Sequence, residues 1–172
     1  PKGRMADAVH QLLVDADLRK PTVQRTFGLS NVEGLTTLLS SPEKPPSEVI
    51  QQIVGTELHT LTSGPIPPNP SELLNSNRMN TLMKQFEEMY DIIIYDMPPV
   101  TSVTDAQIMA SKADGVVFVV RYGVSQKDSV LNAKELLEMV NANILGVVFN
   151  GVEKRNDQSY YGYGYTSEEA TN

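Results

Sequence analysis

The chain is predicted to fold as an α/β three-layer sandwich, with a largely parallel central sheet between layers of helices. Three observations predict this. Short apolar runs recur at residues 12–14, 91–96, 115–120 and 143–150, and runs of that length bounded by turn residues read as buried strands. Stretches with helical spacing separate them, and regular alternation of strand and helix implies parallel strands joined by right-handed crossovers. Two of the runs end in carboxylates, Asp15 and Asp96, and the carboxyl edge of an open α/β sheet is where ligands bind.

Composition bounds the answer. The 172 residues suffice for one domain with a sizeable core. Hydrophobic content of 40% and charged content of 20% suit a globular chain. There are no cysteines, which excludes disulfides and thiolate metal sites and fits a reducing compartment. A net charge of −7 argues against broad affinity for nucleic acid or anionic membrane. No apolar run approaches the roughly 20 residues that span a bilayer, and no signal peptide is visible. His10 and His59 stand at no metal spacing and read as structural or surface residues.

In chain order, residues 1–11 are polar with weak helical character. The run Leu12-Leu13-Val14 enters Asp15-Ala16-Asp17-Leu18-Arg19-Lys20, and Pro21 marks the exit from the strand. Asn31-Val32-Glu33-Gly34 reads as a turn, and Leu35, Leu38 and Leu39 then share a helix face. Residues 47–54 read as a helix with Val49, Ile50 and Ile53 on one side, and residues 57–61 as an alternating strand. Pro65, Pro67, Pro68 and Pro70 fall within six residues, a density that only a stiff extended loop accommodates. Asn69 is expected to cap a helix, with Pro70 at its first position and Glu72 at its third, running to about Tyr90. Met79, Leu82, Met83, Phe86 and Met89 form its apolar side, a stripe that reads as core rather than interface.

The next strand, residues 91–96, ends at Asp96 and stops at Met97-Pro98-Pro99. Thr104 is a polar cap for a short helix beginning at Asp105. The strand at 115–120 is apolar throughout, as expected where both sheet faces are covered. Ser125 is expected to cap the following helix, with Asp128 completing a capping-box-like pair, and Val130, Ala133, Leu136, Leu137 and Val140 facing the core. A last strand covers 143–150. Residues 1–150 thus form the α/β domain and 151–172 a polar tail.

The candidate chemistry lies in three carboxylates. Asp15 and Asp17 follow one strand and Asp96 ends another; if the strands are adjacent and parallel, all three share one sheet edge. Carboxylates so close repel unless a cation or proton separates them. Magnesium favours oxygen ligands and is often held by one or two carboxylates plus substrate phosphates. A solvated loop with accidental aspartates is the bland alternative for Asp15 and Asp17 taken alone. The tail adds Tyr160, Tyr161, Tyr163 and Tyr165, interleaved with Gly162 and Gly164. Glycines give such a segment freedom to enter another molecule's active site. The tail reads either as a cluster of phosphate acceptors or as a sticky polar end.

These elements together resemble the bacterial tyrosine kinases (BY-kinases) of capsule and exopolysaccharide systems. The resemblance spans residues 12–165. It rests on Leu13-Val14-Asp15-Ala16-Asp17-Leu18-Arg19-Lys20-Pro21 as a Walker A′ motif and Ile93-Ile94-Tyr95-Asp96-Met97-Pro98-Pro99-Val100 as Walker B. It rests also on the proline-rich stretch from Leu61 to Leu73, on Thr104-Asp105-Ala106, and on the tail tyrosines.

The resemblance implies a P-loop NTPase fold of the deviant-Walker, MinD-like type, and an ATP-dependent protein-tyrosine autokinase using ATP and Mg2+. It implies that Asp15 accepts the proton of the attacking tyrosine hydroxyl, that Asp17 and Asp96 hold magnesium, and that Asn150 lies near the adenine. Arg19 is expected at the nucleotide, and Tyr160, Tyr161, Tyr163 and Tyr165 as autophosphorylation sites presented to a neighbouring subunit. The implied partners are a membrane-bound modulator protein, other copies in a ring, and a cognate tyrosine phosphatase, with no nucleic acid. The implied location is cytoplasmic, at the inner face of the membrane. One family element is missing: no Gly-x-x-x-x-Gly-Lys-Ser/Thr occurs in the 172 residues. A deviant-Walker ATPase of the division-site or partition type is the alternative enzyme, and a catalytically inactive interaction module the alternative from another class.

Overall fold

The computed structural model describes residues 9–152. Among these residues six strands and six α-helices follow in the order β1 (Gln11–Asp15), α1 (Val23–Phe27), α2 (Leu35–Ser40), β2 (Gln51–Gln52), β3 (Leu58–Leu61), α3 (Pro70–Leu74), α4 (Asn77–Met89), β4 (Ile92–Asp96), α5 (Asp105–Ala110), β5 (Val116–Arg121), α6 (Lys127–Met139) and β6 (Ile144–Asn150). The predicted α/β architecture is present, and its sheet is laid out in two parts. One has the order β2-β3-β1-β4 and the other is the pair β5-β6. β1 runs parallel to β3 and to β4, and β5 parallel to β6; only the short β2 is antiparallel, to β3. Among the described residues no ladder joins β4 to β5.

The core lies against the four-stranded part. Leu12, Val14 and Leu61 from the strands meet Leu35 and Leu38 of α2 and Met79, Leu82 and Phe86 of α4, all fully buried. The methionine stripe is therefore core for Met79 and Met83, while Met89 at the end of α4 is 42% exposed. The backbone turns extended at Tyr90 to enter β4, which carries the last turn of α4 off the core.

Several local expectations are corrected. Residues 47–54 form no α-helix: a single 3-10 turn at Pro46–Glu48 gives way to β2. Pairing with β3 claims this backbone, so the helical spacing of Val49, Ile50 and Ile53 is incidental. The long helix expected from Pro70 to Tyr90 breaks at Asn75 and Ser76. Ser76 begins α4 anew, its Oγ accepting from the Met79 amide at 3.1 Å and donating to the Leu73 carbonyl at 2.7 Å. Asn69 does not cap α3 through its side chain, which instead donates to Glu72 at 2.7 Å. Thr104 likewise makes no side-chain cap on α5. Gln126, not Ser125, precedes α6, and Ser125 Oγ accepts the Arg121 amide at the end of β5. On β5 one face is bare, with Val117 57% and Val119 56% exposed. Among the described residues no helix is long and apolar enough to cross a membrane. Residues 1–8 and 153–172, with the tail tyrosines, lie outside the described residues.

Candidate active site

The proline-rich loop is held on the site side of the sheet by contacts with the turn before α2. The first amides of α2 have no intrahelical partner. Leu35 and Thr36 donate theirs to the carbonyls of Thr62 and Ser63 at 2.8 and 2.9 Å. Asn31 Oδ1 accepts the Gly64 amide at 2.8 Å, and Thr36 Oγ1 donates to the Pro65 carbonyl at 2.9 Å. The approach is close enough that a Cβ at Gly34 would collide with the Thr62 carbonyl and the Gly64 amide. Gly64 itself sits at φ +77°, in the left-handed region that favours glycine.

Two carboxylates meet where β1 and β4 end. Asp15 and Asp96 are register partners on adjacent parallel strands, and the Ala16 amide donates to the Asp96 carbonyl at 3.0 Å. The sheet-edge placement expected of them is thus what the backbone pairing produces. Asp15 is 0% exposed. Its Oδ2 accepts the amides of Thr22 and Val23 at 3.2 and 3.1 Å, while its Oδ1 is buried without a hydrogen-bond partner among the described residues. Burial pushes the Asp15 carboxyl above its usual range; the Val23 amide opposes this and the neighbouring Asp96 adds to it. Asp96 is raised too, by burial and then by the charge of Asp17.

Asp17 is placed by a turn, not by the strand, which ends at Asp15. Its Oδ1 accepts the amides of Arg19 and Lys20 at 3.1 and 2.9 Å, a local side-chain turn typical of Asp. Arg19 reaches away from this turn: Nε and Nη2 donate to the two oxygens of Asp105 at 2.8 and 3.1 Å, and Nη2 also to Ser71 at 3.0 Å. Burial pushes Asp105 upward, but the hydrogen bonds from Arg19 and Ser71 outweigh it and hold the carboxyl below its usual range.

The remaining expectations fall elsewhere. Asn150 ends β6, pairs in register with Arg121 and accepts the Tyr122 amide through its carbonyl at 2.8 Å; its position belongs to the two-stranded part. His59 bonds Tyr90 at 2.8 Å and is structural, and the His10 amide donates to Asp91 at 2.8 Å. Sequence reasoning did not single out Ser71 or the pairing of Asp105. The signal for Asp105 was there, an acid on the first turn of a helix, but it read as a helix-start residue.

The site fits a magnesium ion held jointly with phosphate. Among the described residues no three acidic or histidine side chains cluster closely enough to hold a metal unaided. Yet Asp15 leaves one buried oxygen unpartnered among the described residues, and both carboxylates are raised, first by burial, then Asp15 by the charge of Asp96 and Asp96 by the charge of Asp17. A divalent cation relieves that arrangement, and magnesium commonly takes only one or two protein carboxylates beside phosphates and water.

No protein-family profile matches the chain. Individual relatives do. Tyrosine-protein kinase YwqD of Bacillus subtilis is 43% identical over 153 residues, which are 88% of this chain and 64% of the relative. Putative tyrosine-protein kinase CapB of Staphylococcus aureus is 38% identical over 152 residues, 88% of this chain and 66% of the relative. The solved kinase domain of Escherichia coli tyrosine kinase ETK superposes with a TM-score of 0.81 at 35% identity, over 91% of this chain and 61% of that one.

The chain belongs to the bacterial tyrosine kinases.

It spans less than two thirds of the length of the first of these relatives. The septum site-determining protein MinD of Pyrococcus horikoshii, at 18% identity and a TM-score of 0.65, shares the fold alone. The predicted MinD-like α/β class therefore holds for this bacterial tyrosine kinase chain.

Proposed function

We propose that this chain carries the Walker A′ and Walker B part of an ATP-dependent protein-tyrosine autokinase. The observation that carries the reading is the register pairing of Asp15 with Asp96, with one Asp15 oxygen buried and unpartnered. Asp15 Oδ1 takes the proton of the tyrosine hydroxyl as that oxygen bonds to the γ-phosphorus of ATP. The bond from γ-phosphorus to the bridging oxygen breaks, and ADP leaves. Asp17 and Asp96 would hold magnesium, which neutralises charge on the phosphates when bound. Phosphoryl transfer asks the protein mainly for positioning and charge stabilisation, and a base within reach of the acceptor proton. Asn150 is assigned to the adenine side. Arg19 contributes from the turn after β1, through the contacts argued below.

Tyr160, Tyr161, Tyr163 and Tyr165 are the proposed acceptors, offered to a neighbouring copy. Each phosphate adds about −1.5 to −2 charges at neutral pH, in a tail that already holds Asp157, Glu168 and Glu169. Phosphorylation then favours release of the tail from an acidic site and opening of the assembly. The reading includes a membrane-bound modulator whose cytoplasmic segment activates the kinase, a cognate phosphatase, a place at the inner face of the membrane, and control of exopolysaccharide or capsule production. The solved chimerical protein CapA2B2, 42% identical over 83% of this chain with a TM-score of 0.78, supports the fold of the kinase half of this reading.

The 172 residues contain no Gly-x-x-x-x-Gly-Lys-Ser/Thr, so the reading requires a phosphate cradle outside them, and the test supplies it. The whole-length protein is incubated with MgATP and the modulator's cytoplasmic segment, and its intact mass and phosphotyrosine content are followed. Phosphates gained on the tail tyrosines support the autokinase. Hydrolysis of ATP without phosphotyrosine would point to a deviant-Walker ATPase. An unchanged mass with no MgATP binding by titration calorimetry would point to an inactive interaction module, the reading favoured by the missing motif.

A further inference from the structure

Three separate stretches of the chain converge on one buried carboxylate. Asp105, the first residue of α5, is fully buried. Arg19, in the turn after β1, forks onto both of its oxygens. Ser71, the second residue of α3 at the end of the proline-rich loop, donates to Asp105 Oδ1 at 2.5 Å and accepts from Arg19 Nη2 at 3.0 Å. Each member of the trio touches the other two, and each sits on a different element. The same Arg19 contributes its backbone amide to Asp17 Oδ1. The turn that aims Asp17 is thus anchored at its far end by a planar fork on a buried acid.

We propose that Arg19 is a positioning residue: with Ser71 and Asp105 it clamps the turn at residues 16–20 so that Asp17 stays beside Asp15 and Asp96. This deepens the kinase reading and rests on it for the metal role of Asp17. An exposed ion pair would merely decorate a surface. This pair differs because its acid is buried, its geometry is two-pronged and a hydroxyl is shared. A lysine cannot reproduce a planar fork, and groups that orient metal-binding side chains govern affinity nearly as the ligands do. Arg19→Lys therefore keeps the charge and removes the geometry.

The test uses the whole-length protein with Mn2+ alone as the probe. Amide hydrogen exchange at positions 19 and 20 reports the turn, and electron paramagnetic resonance titration reports the metal. Arg19→Lys is expected to speed exchange at those two amides several-fold, while exchange in α4 is unchanged, and to weaken Mn2+ binding about tenfold. Ser71→Ala is expected to act in the same direction and more weakly. The Arg19→Lys/Ser71→Ala pair should fall short of the sum of the two, because the residues act as a unit. Parent-like exchange and parent-like Mn2+ binding in Arg19→Lys would overturn the proposal, as would equal loss of protection in α4, which marks general destabilisation. If the parent binds no Mn2+, the metal-site reading fails, and exchange at positions 19 and 20 still decides the clamp.

Discussion

The half of the molecule from β1 to β4 and the half built on β5, α6 and β6 are packed very differently. In the first, β1 and β3 close with α2, α3 and α4 over a set of fully buried leucines, Met79 and Phe86. In the second, Val120, Ala133 and Leu137 are buried while Val117, Val119, Val147 and Phe149 stand exposed. The first half carries the carboxylates and the Arg19–Ser71–Asp105 trio proposed to hold Asp17 in place. The second carries Asn150. The difference teaches that the acidic end of the candidate site rests on a buried core against one face of its strands, while the other face of β4 is as open, at Ile92 (46%) and Ile94 (52%), as the sheet that carries Asn150.

The comparison can be broken most sharply by chemistry. Asp15→Asn in the whole-length protein should lower tyrosine phosphorylation by about 10²- to 10⁴-fold, the usual contribution of a general base. Asn150→Ala should act mainly on KM for ATP, as the proposed place beside the adenine requires. Steady-state kinetics with phosphotyrosine readout separates the two. Equal losses of kcat would mean that the halves are not divided as proposed.

Stability should divide the halves next. Phe86→Ala removes a fully buried ring and is expected to cost about 3–5 kcal/mol in urea unfolding. Gly34→Ala forces a methyl group into the Thr62 carbonyl and should cost about 1–3 kcal/mol. Phe149 is 59% exposed, so Phe149→Ala in the 172-residue chain should stay within about 0.5 kcal/mol. A large effect there would show that the second half is closed in solution.

The smallest effect expected is on pH dependence, and its sign distinguishes the carboxylates. Asp15 and Asp96 titrate higher when folded than when unfolded, so the folded state binds more protons and stability rises as pH falls from neutral through their folded values. Asp105 titrates lower when folded. Its contribution is present above the ordinary carboxylate range and is lost as pH falls through its folded value. Unfolding midpoints should therefore climb on mild acidification and drop on strong acidification. Asp96→Asn should be more stable than the parent near neutral pH and lose that advantage as pH falls. Magnesium should flatten the first limb in the parent, since a bound cation opposes protonation.

Much of this was legible in the residues. Apolar runs ending in Asp15 and Asp96 located two strands and the sheet edge of the candidate site, because core-facing strand residues are apolar and the chain turns polar where the strand stops, although β4 is buried on one face only. The break at Ser76 was not legible: the methionine and leucine spacing continues on both sides, and only the Ser76 hydroxyl contacts reveal the restart. The 47–54 segment was misread because three apolar residues fit a helix face equally well, and apolar spacing does not report the antiparallel pairing with β3, seven to nine residues on, that decided the matter.

By itself, the sequence determined the α/β class, the two acid-ended strands, the proline-rich loop and the membership that these together imply. Those features are local: they depend on periodicity, on proline and glycine backbone constraints and on residue order. Tertiary structure alone decided that Asp15 and Asp96 lie opposite each other. It also decided that Asp105 is the buried anchor of Arg19 and Ser71, and that the sheet is laid out in two parts. Strand register and contacts between residues 34 and 86 positions apart follow from packing the whole chain, and no window of sequence contains them.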